Sequence, residues 1–380
     1  MPKPATQPDV LVVGEHPACY FAAALLRHAK SGGSLNVVHC TLPEAEVPDR
    51  LVLVNPAFFS LHKLLEPLKR SIPQTAIYGA RFLADDGSAA GEYRERNPVA
   101  CVAGYHDVRA AVEGVAAESG VRLLKPDALD VCRVDERGLE VEADGKLLRA
   151  TVLILGAATP TPWRRRLGLP DGWPRDVQRR YTFLRLNSTK AADLPAKPCM
   201  PMSLDLRGQL TWAWLLPGRG EVQLAVEQPA SSAGPKPSVD LLKHWAGVLH
   251  KHGVLKTSDL PFSEAESVDL PLAGALVQEG VANRAVLVGP AGGFYSATGE
   301  DIYPNCWSAV FAADAVRKAL KETHLQDALQ PYRQKWGATL GDYIRGPQQN
   351  LRFLLPLIYR NPTMTTRLGE SILLGKSVIR

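Results

Sequence analysis

Gly14-Glu15-His16-Pro17-Ala18-Cys19 stands between a short apolar run and an Ala- and Leu-rich segment. A chain that turns there from buried strand to helix can rest a dinucleotide's pyrophosphate on the helix N-terminus, usually through G-x-G-x-x-G. Only Gly14 of the three glycines is present; His16 puts an imidazole where backbone would approach the phosphates, and Cys19 a small thiol where helix and strand would pack closely. A second glycine-rich turn begins Gly289-Pro290-Ala291-Gly292-Gly293-Phe294 and ends Gly299-Glu300-Asp301 before a long helical pattern. That placement suits contact with an anion or a planar ring, although plain turn glycines would look the same. Glu300 at the helix start also complements the helix dipole. Trp212 and Trp214 flank Ala213 on a strand and so share one face, as cavity lining or as sheet core. G-x-S-x-G and H-E-x-x-H are absent, and the cysteines at 19, 40, 101, 132, 199 and 306 lack metal-type spacing. Hydrolase and zinc chemistry are therefore unsupported, no metal is expected, and reduced thiols are the simplest reading.

The elements that must position these residues follow from periodicity. Residues 10–13 and 151–155 are continuous apolar runs, the mark of strands buried on both faces, and 35–40 reads as another strand. A helix is expected over 60–70, and another over 106–120, closed by Gly120. Alternating strands occupy 121–155, and residues 166–275 read as strands between Pro- and Ser-rich loops with a helix near 239–251. Strand, turn and long helix return over 284–320, and helix dominates from 325. Two strand–turn–helix units thus enclose a region of different texture, which predicts an α/β chain whose discontinuous dinucleotide-type domain is interrupted by a second, sheet-rich one.

The stretch Val286–Tyr303, "VLVGPAGGFYSATGEDIY", resembles the flavin-binding segment of the geranylgeranyl reductase family, among the p-hydroxybenzoate-hydroxylase-like FAD-dependent oxidoreductases. Gly289, Ala291, Gly293, Phe294, Thr298, Gly299, Glu300 and Ile302 carry the match. His16-Pro17-Ala18 falls where the family has G-P-A, residues 156–170 mirror its G-A-D-G segment, and "WAWLLP" at 212–217 resembles its Y-x-W-x-F-P motif. The resemblance implies a three-layer Rossmann-like FAD domain built from 1–75, 95–165 and 276–325. It also implies an antiparallel substrate domain from 76–94 and 166–275, and a helical extension over 326–380. FAD would lie between Gly14, His16, Pro17 and Ala18 on one side and Gly289, Ala291, Gly292, Gly293, Gly299 and Glu300 on the other. Trp212, Trp214, Pro217 and Phe294 would line a cavity for an apolar, isoprenoid-like substrate. Hydride would pass at the flavin, no protein catalytic group is assigned, and NADPH or a reduced redox protein would supply electrons.

Departures from the family pattern fall on the cofactor's contacts. Besides His16 and Cys19, Cys40 replaces the ribose-binding acid, Ala103 an arginine, Ala158 and Pro290 two aspartates, and Asp301 a glycine. Each lost charge-assisted hydrogen bond is worth roughly 1.5–3 kcal/mol, so losing two or three weakens binding by about three to six decades. FAD binding is thus in question, and the alternative is a cofactor-free protein that keeps the fold to bind a lipid or a partner. Bulk properties are those of an ordinary globular chain: 380 residues, 46% hydrophobic, 22% charged, net charge +5. No basic, aromatic-interleaved tail suggests nucleic acid, and no signal-peptide or membrane-spanning stretch is present, so a cytoplasmic protein is expected. The apolar–basic C-terminal segment could pack on the core or lean on a membrane surface. The run Arg164-Arg165-Arg166 reads as solvated surface.

Overall fold

The computed structural model describes residues 8–28, 34–41, 47–136, 138–156, 161–169, 177–191, 195–233, 237–271, 280–296, 299–344 and 351–376. Val10–Val13, apolar at every position, lies inside a six-stranded sheet because neither of its faces meets water. Val152–Leu155 and Val37–Cys40 flank it in parallel, with Val12 beside both Ile154 and His39. The sheet order is 281–282, 285–287, 152–155, 10–13, 37–40, 122–124, parallel except at its first edge. Helices Pro17–Arg27, Tyr105–Glu118 and Ile302–Ala319 cover one face, where Val10, Val12 and Ile154 share a core with Ala23, Val112 and Ala312. Leu11, Val13 and Leu155 turn the other way, onto the meander 129–150 and Trp163 of helix Thr161–Leu167. This is the three-layer α/β arrangement the apolar strands require.

A seven-stranded sheet forms the second body, ordered 266–271, 178–187, 221–229, 209–217, 200–206, 79–83, 90–94. Period-2 alternation sorts strand Gln209–Pro217 cleanly. Trp214 and Leu216 share a core with Tyr181, Phe183 and Met202, while Ala213 and Leu215 face Trp245 of helix Val239–Lys251. A small antiparallel sheet of 51–54, 100–104 and 74–77 adjoins both bodies. There the Gln223 side chain, from the large sheet, accepts from Leu51 N–H at 2.7 Å and donates to Leu51 C=O at 3.0 Å.

Helix Pro331–Ile344 joins the first core through Tyr332, Trp336 and Leu340. Helices Leu351–Ile358 and Pro362–Leu374 spend Leu355, Ile358, Leu368 and Ile372 against Phe82 and Tyr93 of the large sheet, leaving Leu357 exposed. No described helix is long and apolar enough to cross a membrane. Two local expectations are corrected. Residues 60–70 form no continuous helix but a 3-10 turn, Pro56–Ser60, and a short helix, Leu68–Ser71, which starts after Pro67 because that residue has no N–H to extend a helix backwards. Arg164 of the basic run is buried, whereas Arg165 and Arg166 are exposed.

Candidate functional site

The first helix ends its own N-terminus. His16 adopts extended backbone (φ −66°, ψ 145°) as N-cap, and its Nδ1 accepts from Ala18 N–H at 3.1 Å; Pro17 follows with no N–H to offer. The donor an incoming anion would use is thereby taken by an imidazole. Gly14, at φ 133°, makes the turn that a side chain would resist, and its carbonyl accepts from His39 Nε2–H at 2.6 Å. Burial lowers the His39 pKa to about 4, so this ring is neutral at physiological pH. Cys40, at the strand end, is buried with its thiol pushed up to about 12, and offers no carboxylate to a ribose.

The two glycine-rich turns meet. A Cβ on Gly289 (φ 58°) would stand 3.3 Å from Ala18 Cβ, 3.4 Å from the Gly156 carbonyl and 3.5 Å from His16 Nδ1. Gly156 in turn accommodates Cys19, whose Sγ lies 2.1 Å from where a Gly156 Cβ would be. Close helix–strand approach is kept because Gly156, at the end of the neighbouring strand, leaves room for the thiol. Pro290, Ala291 and Gly292 complete a short helix whose first amide, Gly289 N–H, donates to Ser308 Oγ at 3.0 Å, and Gly293 ends it in the left-handed region.

At this junction lies an ion cluster. Asp301, the residue before helix Ile302–Ala319, accepts from Arg50 Nη2 at 2.8 Å and stands 3.9 Å from His16 Nε2. The Arg50 guanidinium rests 4.4 Å from the centre of the Tyr105 ring. His16, Arg50 and Asp301 are 5%, 4% and 1% exposed. Burial lowers the His16 pKa, and since Nδ1 accepts a backbone N–H, its single proton is on Nε2, facing Asp301. Burial alone would raise Asp301, but His16 and Arg50 outweigh it and hold the carboxyl below its usual range. His16 Nε2, Arg50 Nη1, Asp301 Oδ1 and both amide atoms of Asn305 lack hydrogen-bond partners. Asp301 was visible in the sequence as a departure from glycine. Arg50, in an irregular stretch, carried no local signal.

Glu300 faces elsewhere. Its Oε1 accepts from Tyr303 N–H at 2.7 Å and its Oε2 from the Tyr343 hydroxyl at 3.2 Å, to which Asn55 Nδ2 donates at 3.2 Å. Burial pushes its pKa up to about 8. Gly299 (φ 68°) brings this turn to the large sheet: a Cβ there would lie 3.8 Å from Trp214 Cζ2. Trp214 stacks on Tyr181 at 5.4 Å, and the Tyr181 hydroxyl accepts from Gln223 Nε2 at 2.8 Å. Trp212 lies half-buried on the same layer; one step beyond the Ala213–Val226 pair it comes level with Glu227, which pairs with Tyr181. Glu227 is 3.5 Å from Arg179, and burial raises it to about 7. Pro217 is buried at the strand's end opposite Val222. Phe294 is not brought to this layer: its ring lies over Gly292 and meets Trp336 edge-on at 5.6 Å, in the core of the first body. Ala158 and Thr298 lie outside the described residues. Among the described residues no cluster of His, Cys, Asp and Glu could hold a metal ion.

No family model matches this sequence, and no curated protein does. Solved structures do match, over nearly the whole chain. A geranylgeranyl bacteriochlorophyll reductase-like protein from Thermoplasma acidophilum aligns with TM-score 0.72 at 16% identity, covering 98% of this chain and 93% of its own. A flavoprotein/dehydrogenase from Cytophaga hutchinsonii aligns with TM-score 0.67 at 17% identity, covering 97% and 92%. A variant of the halogenase PltM, solved in complex with FAD, aligns with TM-score 0.64 at 15% identity, covering 97% and 77%. The chain therefore shares the fold of these proteins.

The residues present do not fit the diphosphate of FAD. Ala18 N–H is taken by the His16 side chain, Cys19 N–H by the His16 carbonyl, and Pro17 has none, while His16, Arg50 and Asp301 are buried together beside that helix start, so a carboxylate would face the phosphates. Cys40 offers the ribose no anionic acceptor.

Proposed function

We propose that this is a flavoprotein-fold protein that works without a resident dinucleotide, binding an apolar small molecule on the Trp212–Trp214 layer of its large sheet. One observation carries the reading: His16, Arg50 and Asp301 are buried together where the two glycine-rich turns meet, with Arg50 and Asp301 paired at 2.8 Å. The ligand class rests on the half-buried Trp212, with Tyr181 and Trp214 beside it and the Arg179–Glu227 pair as a polar end. Trp212 supplies a flat apolar contact, and Glu227, held near neutrality, can accept or donate a hydrogen bond to a hydroxyl or carboxyl terminus.

A second reading, an FAD-dependent oxidoreductase acting on an apolar substrate, is favoured by the likeness over nearly the full chain and by Gly299 abutting Trp214. Visible spectra of the purified protein before and after adding FAD separate the two. The first reading expects a colourless protein that FAD leaves unchanged; bound yellow flavin would establish the second. Ligand binding is measured separately, as quenching of tryptophan fluorescence by a long-chain isoprenoid alcohol. It is expected in the native chain and lost in Trp212→Ala.

A further inference from the structure

We propose that Asp301 stands in for a bound diphosphate, and that removing its charge uncovers a latent diphosphate-binding site built from the Arg50 guanidinium and the His16 Nε2–H at the start of helix Pro17–Arg27. The proposal rests on the closed-cleft reading above. Three features place an anion at this point. Helices of 11 and 18 residues begin within reach of one another, and the partial positive charge of each N-terminus favours negative charge. Arg50 aims a buried guanidinium at the same spot, with Nη2 on Asp301 and Nη1 unpartnered. The imidazole of His16 presents a second unpartnered proton, on Nε2. What fills the spot is a carboxylate of the chain itself, contributed by a residue that lies 251 positions from Arg50 and caps no backbone N–H of its own helix.

An anion site whose anion is tethered binds no free competitor, because the tethered group is always present at high local concentration. With the tethered charge deleted, Arg50 is left buried and uncompensated, and a mobile dianion regains the position. An aromatic-backed guanidinium with a free Nη1 offers the paired donors that phosphates take.

The probe is inorganic pyrophosphate, followed by calorimetry and by thermal stabilisation at constant ionic strength, with sulfate as the charge control. Native protein is expected to show no saturable binding. Asp301→Asn and Asp301→Ser, the second of which can cap the helix, are expected to bind pyrophosphate at least about tenfold more tightly than native. Adding Arg50→Met should abolish that gain. The proposal is overturned if neither variant gains affinity, if sulfate does as well as pyrophosphate, or if the gain survives Arg50→Met. Should both variants fail to fold, Asp301→Gly, which removes the charge and the side chain together, takes their place under the same criteria, and saturable pyrophosphate binding by the native protein overturns the proposal in any case. A yellow native protein would sink the closed-cleft reading and leave the variant titrations standing as their own result.

Discussion

The Arg50–Asp301 pair can be interrogated by a double-mutant cycle. Both side chains are almost fully buried and 2.8 Å apart, so removing one leaves the other as an unpaired charge away from water. Breaking such a pair costs about 3–5 kcal/mol, whereas replacing both partners by neutral groups of similar size is often nearly neutral. Asp301→Asn and Arg50→Met are each expected to lose about 3–5 kcal/mol, and the double variant to lose at least about 2 kcal/mol less than their sum. Urea unfolding at neutral pH, followed by tryptophan fluorescence and circular dichroism with coincident transitions, gives the four stabilities. If Asp301→Asn costs under about 1 kcal/mol, or if the two losses simply add, the carboxylate is not what neutralises Arg50 and the closed-cleft argument fails.

His16→Ala should cost about 0.5–2 kcal/mol through loss of the Ala18 cap, and His16→Asn, a good capping residue, should recover most of it; equal losses would deny the cap its role. Gly156→Ala forces a Cβ to within 2.1 Å of Cys19 Sγ and should destabilise by about 1–3 kcal/mol, with Cys19→Ala restoring stability to the double variant in thermal unfolding. Glu300 titrates near 8 when folded against an ordinary carboxyl value when unfolded, so the folded state holds the extra proton between those values. Its contribution is complete below about pH 4.5 and is lost as pH rises to 8, by up to roughly 4–5 kcal/mol. Glu300→Gln should flatten that slope and exceed the native protein's stability at pH 8, and an unchanged slope would assign it to other groups such as Glu227.

What could be read from the sequence is what many residues share. Val10–Val13 and Val152–Leu155 announce buried parallel strands because every position must be apolar there, and no single substitution hides that pattern. Trp212 and Trp214 likewise declared a common face by alternation alone. The site is different, because its meaning lies in pairs. Arg50 sits in a segment without periodicity, and nothing local distinguishes it from a solvated arginine until Asp301 is known to be beside it. Phe294 shares the family-like motif yet belongs to the Trp336 core, since a ring directly after a left-handed glycine can fold to either body. Arg164 looked like one of three surface charges, and only packing shows that it is buried.

On the closed-cleft reading proposed above, the charge balance of the cluster is what lets a dinucleotide fold close without a ligand. A neutral His16, a cationic Arg50 and an anionic Asp301 sum to zero, so all three can be buried at the cost of desolvation alone, offset by their mutual contacts. A diphosphate added to that set would bring uncompensated negative charge into the same volume. A glycine at 301 would leave Arg50 needing an external anion, whereas aspartate makes the need internal. The residues that depart from the flavoprotein pattern are therefore coupled in place: His16 and Asp301 are compatible with each other and with Arg50.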